Sequence, residues 1–118
     1  MRSCRCLLVL FVLAGCAVET PAPAELPALS EAAQARRFAA WQQALEKNAG
    51  GESTTWSDRG GARGSIAPID TVHSQTEGWC RDYEELIASG EARYRVVGIA
   101  CRKPGPRWLV LDVRSFAE

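Results

Sequence analysis

Apolar positions change their spacing three times along this chain, and each change marks a new kind of segment. Leu7-Leu8-Val9-Leu10-Phe11-Val12-Leu13 is an unbroken apolar run, opened by Arg2 and Arg5 and closed by Ala14-Gly15. From Val18 to Leu29 apolar residues are interleaved with Pro21, Pro23 and Pro27, the pattern of an extended tether. Beyond Ser30 the spacing becomes helical: Phe38, Trp41 and Leu45 stand at i, i+3 and i+7 among six alanines of high helix propensity. A helix over residues 31–47 is predicted. Ser30 is its N-cap, Glu31 faces the positive end of the dipole, and Asn48, Gly50 and Gly51 end it in a left-handed cap. The stripe reads as the face that covers a sheet, in preference to a partner site.

After Gly51 the texture is that of short strands punctuated by turns. Glu52–Trp56 reads as a strand, Ser57-Asp58-Arg59-Gly60-Gly61 as a turn, and Arg63–Ile69 as the returning strand, with Pro68 at its edge or end. Asp70–Gly78 reads as a polar connection. Trp79–Ile87, Ala92–Arg102 and Trp108–Val113 follow as strands, separated by Ala88-Ser89-Gly90-Glu91 and by Pro104-Gly105-Pro106. The expectation is an α+β domain: one N-terminal helix packed on a small antiparallel sheet of four to five strands, with residues 30–118 forming the domain.

The apolar run at the start is about half the roughly 20 residues that span a bilayer. Its basic start and small-residue end are those of a secretory signal peptide, residues 1–15. Leu13-Ala14-Gly15-Cys16 resembles the bacterial lipobox, which implies acylation of Cys16 and cleavage before it. Two or three acyl chains, at about 0.8 kcal/mol per buried methylene, make a stable anchor. Residues 16–29 then form the lipidated cysteine and its tether. Residue 17 is Ala and not Asp, and by resemblance to Gram-negative lipoproteins this points to the bacterial outer membrane, on a face that the sequence leaves open.

Composition narrows the picture. At 118 residues there is room for one small domain. Fourteen basic residues balance fourteen acidic ones, and loss of Arg2 and Arg5 with the leader leaves 12 against 14, so no basic field exists for nucleic acid. Of the five cysteines, Cys4 and Cys6 leave with the leader and Cys16 carries lipid. Cys80 and Cys101 remain, and in an oxidising compartment they are expected to pair, closing a loop worth roughly 3 kcal/mol. Two thiols and the distant His73 fall short of a zinc site, so no metal or other cofactor is expected.

Gly78-Trp79-Cys80-Arg81 and Gly98-Ile99-Ala100-Cys101-Arg102, followed by Pro104-Gly105 and Trp108, resemble the C-terminal domain of the 17 kDa outer-membrane surface antigens of Gram-negative bacteria. The resemblance covers about residues 34–112. It implies a lipoprotein and carries over no catalytic residue. Many members hold a glycine-zipper stretch between lipid and β-domain. An Ala-rich amphipathic helix stands there in this chain, so zipper-based insertion is not carried over.

Four tryptophans are many for this length. They read as core residues filling the space between helix and sheet, with a glycan-stacking platform at Trp56 or Trp108 as the alternative. Arg81 and Arg102 each follow a cysteine, so they are expected to share one sheet face; either they grip a carboxylate or phosphate of a partner, or they form ordinary cross-strand charge pairs. A Ser65-His73-Asp70 constellation lacks a nucleophile elbow, and no phosphate loop or paired carboxylates appear. The chain therefore reads as a non-enzymatic lipoprotein of the cell envelope, held on the bilayer through Cys16, with an envelope protein or peptidoglycan as partner. The alternative is a small anchored inhibitor of a cell-wall hydrolase such as lysozyme, acting through Asp70–Gly78 and His73.

Overall fold

A computed structural model describes residues 26–102, 105 and 107–118. The leader, Cys16, the tether up to residue 25, and Pro104 and Pro106 of the expected last turn lie outside them. One helix, α1 (Glu31–Lys47), precedes five strands: β1 (Thr54–Ser57), β2 (Ala62–Ser74), β3 (Gly78–Ser89), β4 (Ala92–Arg102) and β5 (Leu109–Ala117). The strands form one antiparallel meander in the order β1-β2-β3-β4-β5. Each pairs only with its sequence neighbours, so short turns suffice to set the whole topology.

α1 begins as its sequence predicts, with Ser30 Oγ accepting from the Ala33 N–H at 3.1 Å. Its end differs. Asn48 is extended (φ −82°, ψ 144°) and the left-handed residue is Gly51 (φ 85°). The carbonyls that a left-handed cap would satisfy are instead bonded by Arg81 on β3, described below. The buried stripe of the helix is Ala33, Ala40, Trp41, Ala44 and Leu45. Small residues let α1 lie close to the sheet while Trp41 and Leu45 fill the core. Phe38, expected on that stripe, is half exposed at its margin.

β2 corrects the reading of Asp70–Gly78 as a connection. The strand continues to Ser74 and only residues 75–77 form the turn. Pro68 faces Tyr83 and Thr71 faces Arg81, so Ile69 and Asp70 oppose Asp82 alone, a β-bulge. Proline has no N–H for the ladder, which skips and resumes instead of ending. β5 also outruns its expected end at Val113, because β4 begins at Ala92 and offers partners as far as Ala117.

The register fixes the two faces. Trp56, Gly64, Ile66, Tyr83, Glu85, Ile87, Tyr94, Val96, Gly98 and Ala100 face α1. Their buried members form the core with the helix stripe. The other face carries Cys80 and Cys101, directly opposite each other with Cα atoms 4.0 Å apart and joined as a disulfide.

Candidate functional site

Three polar contacts dock α1 on the sheet and frame the surface beside it. Arg37 donates from Nε and from one terminal nitrogen to the two Glu85 oxygens, at 2.7 and 2.8 Å. Glu85 is only 1% exposed, and a bidentate guanidinium is the partner that makes a buried carboxylate tolerable. These bonds raise the Arg37 pKa above its already high ordinary value. At the far end of the helix, Gln42 and Glu46, one turn apart, hold Trp108. Gln42 accepts from the Trp108 backbone N–H and donates to its carbonyl, and Glu46 accepts from the indole N–H at 2.8 Å. Arg102 donates to the other Glu46 oxygen at 2.6 Å. The Trp108 indole, then the charge of Arg102, hold the Glu46 carboxyl below the usual carboxylate range.

The third contact involves Arg81. It is buried, and it donates to Thr71 Oγ1 at 2.9 Å, to the Leu45 carbonyl at 2.8 Å and to the Asn48 carbonyl at 2.7 Å. Arg81 and Arg102 do share the helix-side face of the sheet, since Arg81 faces Ala100 and Arg102 faces Trp79. Their donors are directed at different targets: Arg81 at the C-terminus of α1, Arg102 at Glu46 and the Gly105 carbonyl.

Between α1 and β5 runs an apolar groove of about 670 Å³, with Phe38 and Trp41 on the helix side, Tyr83 on the floor, and Val110 and Val113 on the strand side. Leu26, Pro27 and Leu29, which lead into the helix, close one end. Tyr83 sets its edge against Trp41 at 5.6 Å, and burial pushes its phenol up. The phenol ring lies over Gly98, where a Cβ would stand 2.6 Å from the hydroxyl oxygen, so a glycine is needed there for the floor to be flat. The groove exists because α1 packs chiefly over β1 and β2 and leaves β5 uncovered.

The tryptophans divide. Trp41, Trp56 and Trp108 are buried and serve the core, so neither Trp56 nor Trp108 offers a free ring face to a glycan. Trp79 is 55% exposed although it adjoins Cys80, because it lies beyond the helix end, with the His73 ring edge-on at 4.8 Å. His73 is therefore a strand residue and not a loop residue. Ser65 lies eight positions from it on the same strand, roughly 25 Å away, and the two cannot share a proton. Among the described residues, no three His, Cys, Asp or Glu side chains gather where they could hold a metal ion.

The sequence missed the Arg37–Glu85 pair and the Trp108 clamp, because both join residues about 50 to 65 positions apart. A signal for the groove did exist: Leu109-Val110-Leu111 is a continuous apolar run, not the alternating pattern of a strand with one wet face.

A helix laid across one side of a five-stranded meander, with a disulfide on the other, defines a two-layer α+β domain. Its sequence is similar to the 17 kDa surface antigen of Rickettsia bellii (strain RML369-C), 31% identical over 72 residues, which are 60% of this chain and 45% of the relative. A second 17 kDa surface antigen of Rickettsia bellii gives the same figures. The resemblance first carried by the two Cys-Arg segments is thus shown, and the chain spans less than half the length of the curated relatives it matches. No family model matches the chain, and no solved structure matches it.

Proposed function

We propose that this chain is a lipid-anchored, non-catalytic protein of the bacterial cell envelope, tethered by an acylated Cys16 to the outer membrane and working through contacts of its α+β domain. The similarity to surface antigens carries the reading, since a protein named for the surface belongs to the envelope. The basic-apolar-small leader ending in Leu13-Ala14-Gly15-Cys16 supports it from the opposite end of the chain. The groove beside α1 supplies an apolar surface for a partner. Fractionation of envelopes tests the anchor: the native chain is expected with outer-membrane vesicles, and Cys16→Ser in the soluble or inner-membrane fraction. A Cys16→Ser chain that still co-fractionates with the outer membrane overturns the lipid anchor.

One observation favours a second reading, a peptidoglycan-binding module. Trp79 presents a half-exposed indole whose orientation is held by His73, as a sugar-stacking side chain requires. Co-sedimentation with purified peptidoglycan, lost in Trp79→Ala with the fold intact, supports it. Equal sedimentation of both chains, or of neither, removes it.

A further inference from the structure

Four of the exposed large apolar side chains among the described residues fall on one strand: Leu109, Val110, Leu111 and Val113 of β5 are 49–63% exposed. β5 is an edge strand, pairing with β4 alone. The two edges of the sheet are treated differently. β1 is four residues long and reads Thr-Thr-Trp-Ser, short enough to offer little template for another strand. β5 has nine residues, Leu-Val-Leu-Asp-Val-Arg-Ser-Phe-Ala, with neither proline nor lysine to discourage pairing, and its one bulge, at Leu111, leaves Asp112–Ala117 regular.

The charges on β5 specify a partner. Asp112 and Arg114 flank Val113, the middle residue of the strand, and both point away from α1. We infer that β5 pairs antiparallel with β5 of a second copy of this chain, about a twofold axis at Val113. In that register Asp112 faces Arg114 of the partner subunit, and the pair occurs twice because the interface is isologous. Centring the axis on residue 112 sets Asp112 against itself, and centring it on residue 114 sets Arg114 against itself. Like charges directly opposite are destabilising, so the charges select Val113 from its neighbours. A twofold axis perpendicular to the sheet keeps both helices on one side. The Val113 side chains of the two strand-side groove walls then meet across the axis and lose their exposure. The result is one continuous ten-stranded sheet with short β1 strands at both ends.

Residues facing themselves at an antiparallel dyad have Cα atoms about 4.5–5.5 Å apart, within the span of a disulfide. The test uses the full-length chain in membranes and in detergent solution. Val113→Cys is expected to give a covalent homodimer on mild oxidation, with the 113–113 link found by peptide mass spectrometry, whereas Thr55→Cys on the β1 edge gives none. By sedimentation in detergent, Asp112→Arg and Arg114→Asp should each weaken the dimer about tenfold, and the double exchange should restore it. The charge variants keep the idea testable if Val113→Cys folds poorly. A monomeric native chain, a Val113→Cys link mainly to a different protein, or a dimer indifferent to both charge reversals overturns the proposal.

Discussion

The guanidinium of Arg81 on β3 caps the C-terminus of α1, donating to the Asn48 carbonyl at 2.7 Å from 33 positions away. With the Leu45 carbonyl and Thr71 Oγ1 also bonded, one side chain satisfies helix groups that local residues leave open and ties them to the β2 bulge. Arg81→Met should therefore cost about 3 kcal/mol, because buried carbonyls lose a charged donor. Arg81→Lys should recover less than half, since an ammonium cannot reach three separated acceptors in the guanidinium's plane. Urea denaturation with the disulfide intact measures both.

Arg37 and Glu85 form the other long-range polar link, 48 positions apart. Removing the arginine alone leaves a buried carboxylate without its partner. Arg37→Ala should destabilise the fold by about 3–4 kcal/mol, and adding Glu85→Leu should recover most of the loss. A double-mutant cycle gives the coupling directly. Equal and additive losses from the two changes would show that the pair does not interact as its geometry says.

Gly98 and Tyr83 behave as a unit, the ring filling the space a side chain would occupy. A Cβ at Gly98 would meet Tyr83 Cζ at 2.7 Å and the Asp112 carbonyl oxygen at 2.9 Å. Gly98→Ala should cost about 1–3 kcal/mol through forced movement of the groove floor. Gly64, where a Cβ would stand 2.6 Å from the Trp56 indole nitrogen, should respond alike. Thermal melts of the two variants check the prediction.

Glu46 gives the chain an acid-sensitive contact. Its carboxyl binds a proton less readily in the folded chain than in the unfolded one, because the Trp108 indole and Arg102 favour the anion. The stability it adds is complete above the ordinary carboxylate value and fades as pH falls through the lowered folded one. Denaturation midpoints across the acid range should show a decline that Glu46→Gln flattens. Trp108 fluorescence should report loosening at the same pH.

What the sequence reveals is what is local. Ser30 and the run of alanines define α1 because capping and propensity act within one turn. The meander is legible because every strand pairs with its neighbour through a short turn, and Cys80 opposite Cys101 follows once β3 and β4 are adjacent. The tail of β2 is not legible, because Asp70–Ser74 are polar and become a strand only when β3 supplies partners across the bulge. Trp79 shows the same limit in reverse: a tryptophan beside a disulfide reads as core, yet α1 ends before reaching it and leaves the indole in solvent. In the sequence Arg81 stands out only because it follows a cysteine, whereas its role depends on where a helix 33 positions away stops.

Intact-mass spectrometry of the chain, recovered from bacterial membranes, tests the central claim most directly. The account predicts a species beginning at Cys16, heavier than the polypeptide by a diacylglycerol and a further acyl chain, and lighter by two hydrogens for the Cys80–Cys101 disulfide. A mass that begins at Met1 and carries no acyl groups would contradict it.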